Sequence, residues 1–163
     1  MNFDEAACLY RYAQQIGGNV LEIGRCLGGS LALLREATQP HQQLYSIDLE
    51  EALSDRFSSL REDPRVHIWV GDSRTCPQVA ALSLLLVDGD HTESGVRADL
   101  ARHWPTLAVG GIAAFHDACP NDGLPERTNH HHGVEVCVQE LLAGGLATHL
   151  ETAGSLVVVA KVA

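Results

Sequence analysis

The sequence predicts an α/β fold: a doubly wound, mostly parallel sheet with a C-terminal antiparallel strand. Three observations predict it. Short apolar runs alternate with segments of helical spacing, the pattern of successive βα units. Nearly every apolar run stops abruptly at an acid, a glycine or a histidine. The last two runs have no helix between them, so they read as a hairpin.

The elements follow in order. Residues 3–16 carry apolar side chains at helical spacing (Ala6, Leu9, Tyr10, Ala13, Ile16) and stop at Gly17-Gly18. Residues 19–23 form a strand running into Gly24, and 30–37 a helix closed by Pro40. Residues 43–47 form a strand ending at Asp48. A helix is expected over 50–60, with Pro64 beyond it, then a strand over 66–70 that ends at Gly71-Asp72-Ser73. A poorly marked helix is expected near 77–81. Residues 82–87 form the most apolar strand to that point, and 93–103 a helix with Val96, Leu100 and Trp104 on one side; Trp104 and Leu107 read as core. A strand over 112–115 stops at His116-Asp117. Residues 118–133 read as a loop rich in Pro, Asn, Gly and His, 134–142 as a helix, and 146–151 and 156–162 as the closing hairpin. No repeat or linker divides the chain, so residues 1–163 are expected to form one domain.

Composition limits what such a fold could do. With 163 residues, 45% hydrophobic and 20% charged, the chain is globular in character. A net charge of −10 argues against a nucleic-acid partner, which requires a basic face. Five scattered cysteines without a CxxC pair suit reduced thiols and a cytoplasmic location. No signal peptide is apparent at the N-terminus, and no apolar run is long enough for a membrane span.

In an open parallel sheet, ligands bind beyond the carboxyl ends of the strands. The polar residues collect there: Glu22-Ile23-Gly24, Asp48, Asp72-Ser73, Asp88-Gly89-Asp90-His91 and His116-Asp117. Gly24, Gly28 and Gly29 lie between a strand and a helix, where glycine lets the backbone approach an anion at the helix N-terminus. An ordinary tight turn would use the same residues. The dinucleotide fingerprint GxGxxG is broken by Cys26, and nothing marks that thiol as a nucleophile. A carboxylate such as Asp48 can accept two hydrogen bonds from a ribose diol. Asp72 taken alone is a turn or helix-cap residue.

LEIGRCLGGS, YSID, GDS, LLVDGDH and WPTLAVGGIAAFHD, in that order, resemble the class I S-adenosylmethionine-dependent methyltransferases. More narrowly, they resemble the metal-dependent small-molecule O-methyltransferases, including those acting on macrolide sugars. The resemblance runs from about Gly18 to the end. It implies a seven-stranded sheet of the Rossmann-like methyltransferase fold. It also implies that Glu22, Gly24, Gly28 and Ser30 cradle the methionine end of the cofactor. Asp48 would hold the ribose and Asp72 and Ser73 flank the adenine, with Asp88 at the junction of cofactor and metal. Asp88, His116 and Asp117 match the metal ligands, and His91, three residues past Asp88, matches the general base.

His116 departs from the pattern, because the sugar enzymes carry an acid there. A ring nitrogen beside two carboxylates favours a transition metal over Mg, so the expected cofactors are S-adenosylmethionine and a divalent ion, Mg, Mn or another transition metal. His116 could equally be a capping residue. The run Asn129-His130-His131-His132 reads as a solvated loop or, alternatively, a lid over the metal. Arg25, Arg97 and Arg102 read as solvated helix-face charges rather than holders of an acidic substrate.

The expected function is methyl transfer from S-adenosylmethionine to a small-molecule hydroxyl, with no nucleic-acid or membrane partner. Two alternatives stay open. One is a non-catalytic module binding S-adenosylmethionine or a nucleoside; the other is a related metal-dependent oxidative enzyme. The small N-terminal extension and absence of large insertions suit a small exposed substrate site, a homodimer that completes the pocket, or the binding module.

Overall fold

Residues 82–87 are apolar at every position but one because the strand is covered on both faces. Leu84 and Leu86 pack with Leu9, Leu31 and Leu34 on one side, while Leu85 and Val87 pack with Val96, Phe115 and Val138 on the other. Leu84, Leu85 and Leu86 are fully buried, each worth about 1.5–3 kcal/mol of burial. That central strand fixes the layers: helices on two faces, one sheet between them.

The computed structural model describes residues 1–119 and 129–162, the side chains of 129–131 excepted. The strands are β1 (Asn19–Ile23), β2 (Leu44–Asp48), β3 (Val66–Val70), β4 (Leu82–Val87), β5 (Leu107–Phe115), β6 (Ala147–Ala153) and β7 (Leu156–Lys161). They form a seven-stranded sheet in the order β3-β2-β1-β4-β5-β7-β6. The β1–β5 pairings are parallel. β7 runs antiparallel to both β5 and β6, as the missing helix between the last two strands predicts. Helices α1 (Phe3–Ala13) and α2 (Gly29–Ala37) cover one face. Helices α3 (Glu93–His103) and α4 (Asn129–Ala143) cover the other. No helix among the described residues is long and apolar enough to cross a membrane.

Three expectations need correction. The helix expected over 50–60 is a 3-10 segment confined to Asp55–Glu62. Its first residues are held elsewhere: the Glu50 carbonyl accepts from the Arg25 guanidinium at 2.9 Å, and Ser54 caps the segment at its own position. No helix forms at 77–81; Pro77 removes a donor, and Ala81 takes a left-handed φ of 51° to enter β4. Finally, the backbone of Asn129–Gly133 is the opening of α4 rather than loop. Gly133 permits this, because a Cβ there would meet the Glu93 nitrogen at 2.3 Å and the His91 carbonyl at 2.5 Å. Of the expected loop, residues 120–128 lie outside the described residues, as do the side chains of His130 and His131; His132 is exposed.

Candidate active site at the strand edge

Strand order reverses between β1 and β4, which opens a crevice at their carboxyl ends. A cleft of about 730 Å³ occupies it, within the size range of small-ligand sites. Its wall includes Gly24, Asp48, Asp72, Asp88, Asp90 and Asp117. A second hollow of about 830 Å³ lies between α2 and the 3-10 segment. There Arg35 and Arg65 are both paired with Asp63, and no histidine or cysteine lines the hollow.

The half of the cleft beside β1 and β2 is built mainly by backbone. Gly24 has a φ of 93°, and a Cβ there would lie 2.0 Å from the Asp88 carbonyl oxygen. Only glycine lets the loops after β1 and β4 touch. Cys26 adopts a left-handed φ of 47°, a conformation usually left to glycine. The Asp48 carboxylate holds it there by accepting from the Cys26 N–H at 2.7 Å and the Glu50 N–H at 3.0 Å. Asp48 also lines the cleft, and a carboxylate with two accepted bonds can still accept further donors.

Glu22, Gly28 and Ser30 do not lie on the cleft wall. Glu22 is fully buried and accepts from the Ser30 and Ser46 hydroxyls. Burial, opposed by those two hydroxyls, pushes its carboxyl up to about 7. Gly28 is the N-cap of α2 and packs on Leu53. These residues brace the loop from behind.

At the far end, Asp72 accepts from the Arg74 guanidinium and N–H, which hold its carboxyl down at about 2. The Ser73 hydroxyl donates to Asp99, whose carboxyl burial raises. Ser73 is thus committed within the wall, while Arg74 and Asp99 join the cleft lining unforeseen. Arg25 also overturns its sequence reading. It is 1% exposed, and its guanidinium donates to the carbonyls of Ser46, Trp69 and Glu50, a strut under the cofactor loop. Arg97 does sit on the surface, paired with Glu93 and Glu140.

The other half is a cluster of side chains. Asp88, His116 and Asp117 can each bring one ligand atom within 4.8 Å of the others, so they could hold a cation. His116 Nδ1 lies 3.2 Å from Asp88 Oδ1 and 3.3 Å from Asp117 Oδ2. His91 Nε2 lies 3.5 Å and 3.4 Å from the same two oxygens. Burial alone would lower the His116 pKa; the Asp117 and Asp88 carboxylates outweigh it and push it up to about 10. His91 is raised by Asp88, against burial. Asp88 itself is lowered, because the two imidazoles outweigh its burial. Each imidazole is thus shifted toward its charged form by the carboxylates that face it.

Glu5 completes the cluster and was not foreseen. Its Oε2 lies 3.2 Å from His116 Nε2, and its Oε1 accepts from the Ser155 N–H at 2.8 Å and hydroxyl at 2.9 Å. The Asn2-x-x-Glu5 capping box was visible in the sequence. Its reach to a residue 111 positions away was not.

The comparisons agree with this architecture. A family model described as "Methyltransferase domain" matches residues 21–118. No protein of curated function matches the sequence. Among solved structures, the chain is similar to the O-methyltransferase TomG from Streptomyces achromogenes, involved in tomaymycin synthesis and solved with SAM. The TM-score is 0.77 at 16% identity, covering 100% of this chain and 82% of that one. It is similar to the MycE methyltransferase of the mycinamycin pathway, solved with Mg, SAH and mycinamycin VI. There the TM-score is 0.66 at 18% identity, over 96% of this chain and 48% of that one. A putative rRNA-methylase from Clostridium thermocellum matches with a TM-score of 0.70 at 12% identity, over 99% and 100% of the two chains. At these identities the likeness establishes the fold, and the family model adds the domain: the chain belongs to the methyltransferase-domain family.

Proposed function

We propose that the protein transfers the methyl group of S-adenosylmethionine to the hydroxyl of a small molecule, assisted by a divalent cation. The observation that carries this reading is the continuity of one cleft. It runs from Asp72 and Asp48, past Gly24, to the Asp88–His116–Asp117 cluster. A cofactor laid along the first part would present its methyl group beside the second. Asp48 accepts the ribose hydroxyls and Gly24 admits the backbone close to the ligand. Asp88, His116 and Asp117 would hold a cation, and the chemistry such an ion would supply is polarisation of the acceptor hydroxyl. The buried Nδ1 of His116, flanked by two carboxylate oxygens, fits such an ion.

The products are S-adenosylhomocysteine, the methyl ether and one proton. The sequence resemblance points to His91 as the proton acceptor. Its Nε2, however, faces Asp88 and Asp117, and His91 is absent from the cleft wall whereas Asp90 is on it. Asp90 is therefore the better placed carboxylate to take the proton from an acceptor in the cleft. Most of the acceleration comes from in-line placement of hydroxyl and sulfonium methyl.

A net charge of −10 favours a small molecule over RNA as acceptor, and five free cysteines suit a reducing cytoplasm. The test is transfer of isotope-labelled methyl from S-adenosylmethionine to a panel of polyols and catechols, with ribosomal RNA as a parallel acceptor. Methylation of a hydroxyl that stops on chelation supports the reading. Label entering RNA alone, or cofactor binding with no transfer to any acceptor, overturns it.

A further inference from the structure

The turn after β3 walls one end of the cleft, through Gly71, Asp72, Ser73 and Arg74. Local bonds give it its shape. The Thr75 N–H donates to the Asp72 carbonyl at 3.0 Å, and the Cys76 thiol to the Ser73 carbonyl at 3.1 Å. Gly71 is tied to β2, its N–H donating to the Asp48 carbonyl at 2.8 Å. Beyond Gly71, the turn's hydrogen bonds to the rest of the described fold run to α3. Asp99, Arg102 and His103 stand there at i, i+3 and i+4, hence on one face. The Ser73 hydroxyl donates to Asp99. Arg102, expected to be a solvated charge, is half-buried, and its guanidinium donates to the Cys76 carbonyl at 2.9 Å. His103 Nε2 lies 3.0 Å from the Ser73 carbonyl.

His103 is the informative member of the three. It is wholly buried and does not line the cleft. A carbonyl only accepts, so Nε2 carries the ring proton and donates to Ser73. Burial holds its pKa below the usual imidazole value, so the ring is neutral and Nδ1 is a bare acceptor. That Nδ1 is buried with no hydrogen-bond partner among the described residues. A buried acceptor without a donor costs stability, where an apolar side chain of similar size does not. The Ser73 carbonyl keeps the Cys76 thiol as a donor even without the imidazole. Stability alone therefore does not call for histidine here, and a residue that breaks a packing rule is expected at a functional site.

We propose that His103 is a positioning residue for S-adenosylmethionine: with Arg102 beside it, it fixes the turn at 71–76 against α3 and so sets affinity for the nucleoside half of the cofactor. This rests on the cofactor placement proposed above, with the nucleoside between Asp48 and Asp72, and adds a residue that touches no ligand.

The connection is short. Ser94, Gly95, Ala98 and Asp99 of α3 also line the cleft, so the helix is both wall and clamp. Ser73 is gripped at both of its polar groups, the hydroxyl by Asp99 and the carbonyl by His103. Losing the second grip lets the Ser73 peptide turn, and Asp72 and Arg74, its neighbours on the wall, move with it.

The test is calorimetry on the full chain with two probes. One is S-adenosylhomocysteine; the other is 5′-methylthioadenosine, which keeps the nucleoside and the sulfur but lacks the amino-acid tail. His103→Leu, which packs without a donor, should weaken both probes by the same factor, about 3- to 10-fold, with Tm unchanged or raised. His103→Gln, whose amide can donate from near the position of Nε2, should recover most of that loss. Arg102→Met should weaken both probes by about 2- to 5-fold. Wild-type affinity in His103→Leu overturns the proposal while the cofactor placement stands. A loss confined to S-adenosylhomocysteine overturns it too, because the effect would then lie at the amino-acid end. So does an equal loss in His103→Leu and His103→Gln, which would make ring shape the cause and not the donor. Should His103→Leu not fold, wild-type affinity in Arg102→Met decides against the proposal. A wild-type chain that binds neither probe overturns this proposal and the cofactor placement together.

Discussion

Glu22→Gln should change how stability depends on pH, and the structure sets the size of the change. Glu22 is fully buried between Ser30 and Ser46, with its carboxyl raised from an ordinary 4.5 to about 7. Below pH 4.5 the group is protonated folded or unfolded and contributes no slope. Between 4.5 and 7 the folded protein keeps a proton that the unfolded chain has lost, so stability falls as pH rises. The loss is complete above the folded value and amounts to about 3 kcal/mol, at 1.36 kcal/mol per pH unit. Glutamine is neutral throughout and keeps one acceptor for a serine hydroxyl. Urea unfolding at a series of pH values should therefore give a wild-type curve that descends across this window relative to the variant, with the variant equal or more stable at pH 8. Subtracting the two curves cancels the titration of His91 and His116. Parallel curves from pH 4.5 to 8 would refute the reasoning.

Other perturbations test the rest of the site. Asp48→Ala removes the acceptor for the Cys26 N–H and the proposed ribose acceptor, so calorimetry should show S-adenosylhomocysteine binding weakened by about 1.5–3 kcal/mol; unchanged affinity would remove Asp48 from the proposed cofactor site. Chelation should abolish methyl transfer while leaving S-adenosylhomocysteine binding in place, and activity surviving thorough chelation would give the acid pair another role. Gly24→Ala drives a methyl group against the Asp88 carbonyl at an unfavourable φ, and thermal unfolding should register a loss of more than about 1–3 kcal/mol; a wild-type Tm would contradict the close contact.

The fold was legible because each strand announces its own end. Glu22-Ile23-Gly24, Asp48 and Asp88 stop apolar runs by local sequence alone, and the absent helix before Leu156 gave the antiparallel strand. Where a segment's conformation is fixed by distant partners, that signal fails. Residues 50–54 have helical composition, yet Arg25 captures the Glu50 carbonyl from another strand end. Arg25 itself looked like a solvated charge, because nothing local reveals the three carbonyls converging on it. The motif GDS likewise marked Asp72 and Ser73 without showing that both were already spoken for by Arg74 and Asp99. Order along the chain located the reactive edge, but not which groups there are spent on one another.

The two halves of the cleft are held by different means, and that difference bears on how the reaction is positioned. Backbone conformation shapes the cofactor half, through the left-handed Gly24 and Cys26. Side chains make the half proposed to hold the cation, through Asp88, His116 and Asp117. They meet where a Gly24 Cβ would strike the Asp88 carbonyl. Asp88 thus presents its carboxylate to the cation cluster while its main chain packs on the cofactor loop. The Asp88 N–H also donates to the Ile23 carbonyl at 2.8 Å, tying the ends of β4 and β1. Any displacement of the Asp88 backbone moves both halves at once. In the proposed methyl transfer, where misplacement by about 1 Å can cost two orders of magnitude, that shared contact would fix the distance between cofactor and acceptor through the strand ends.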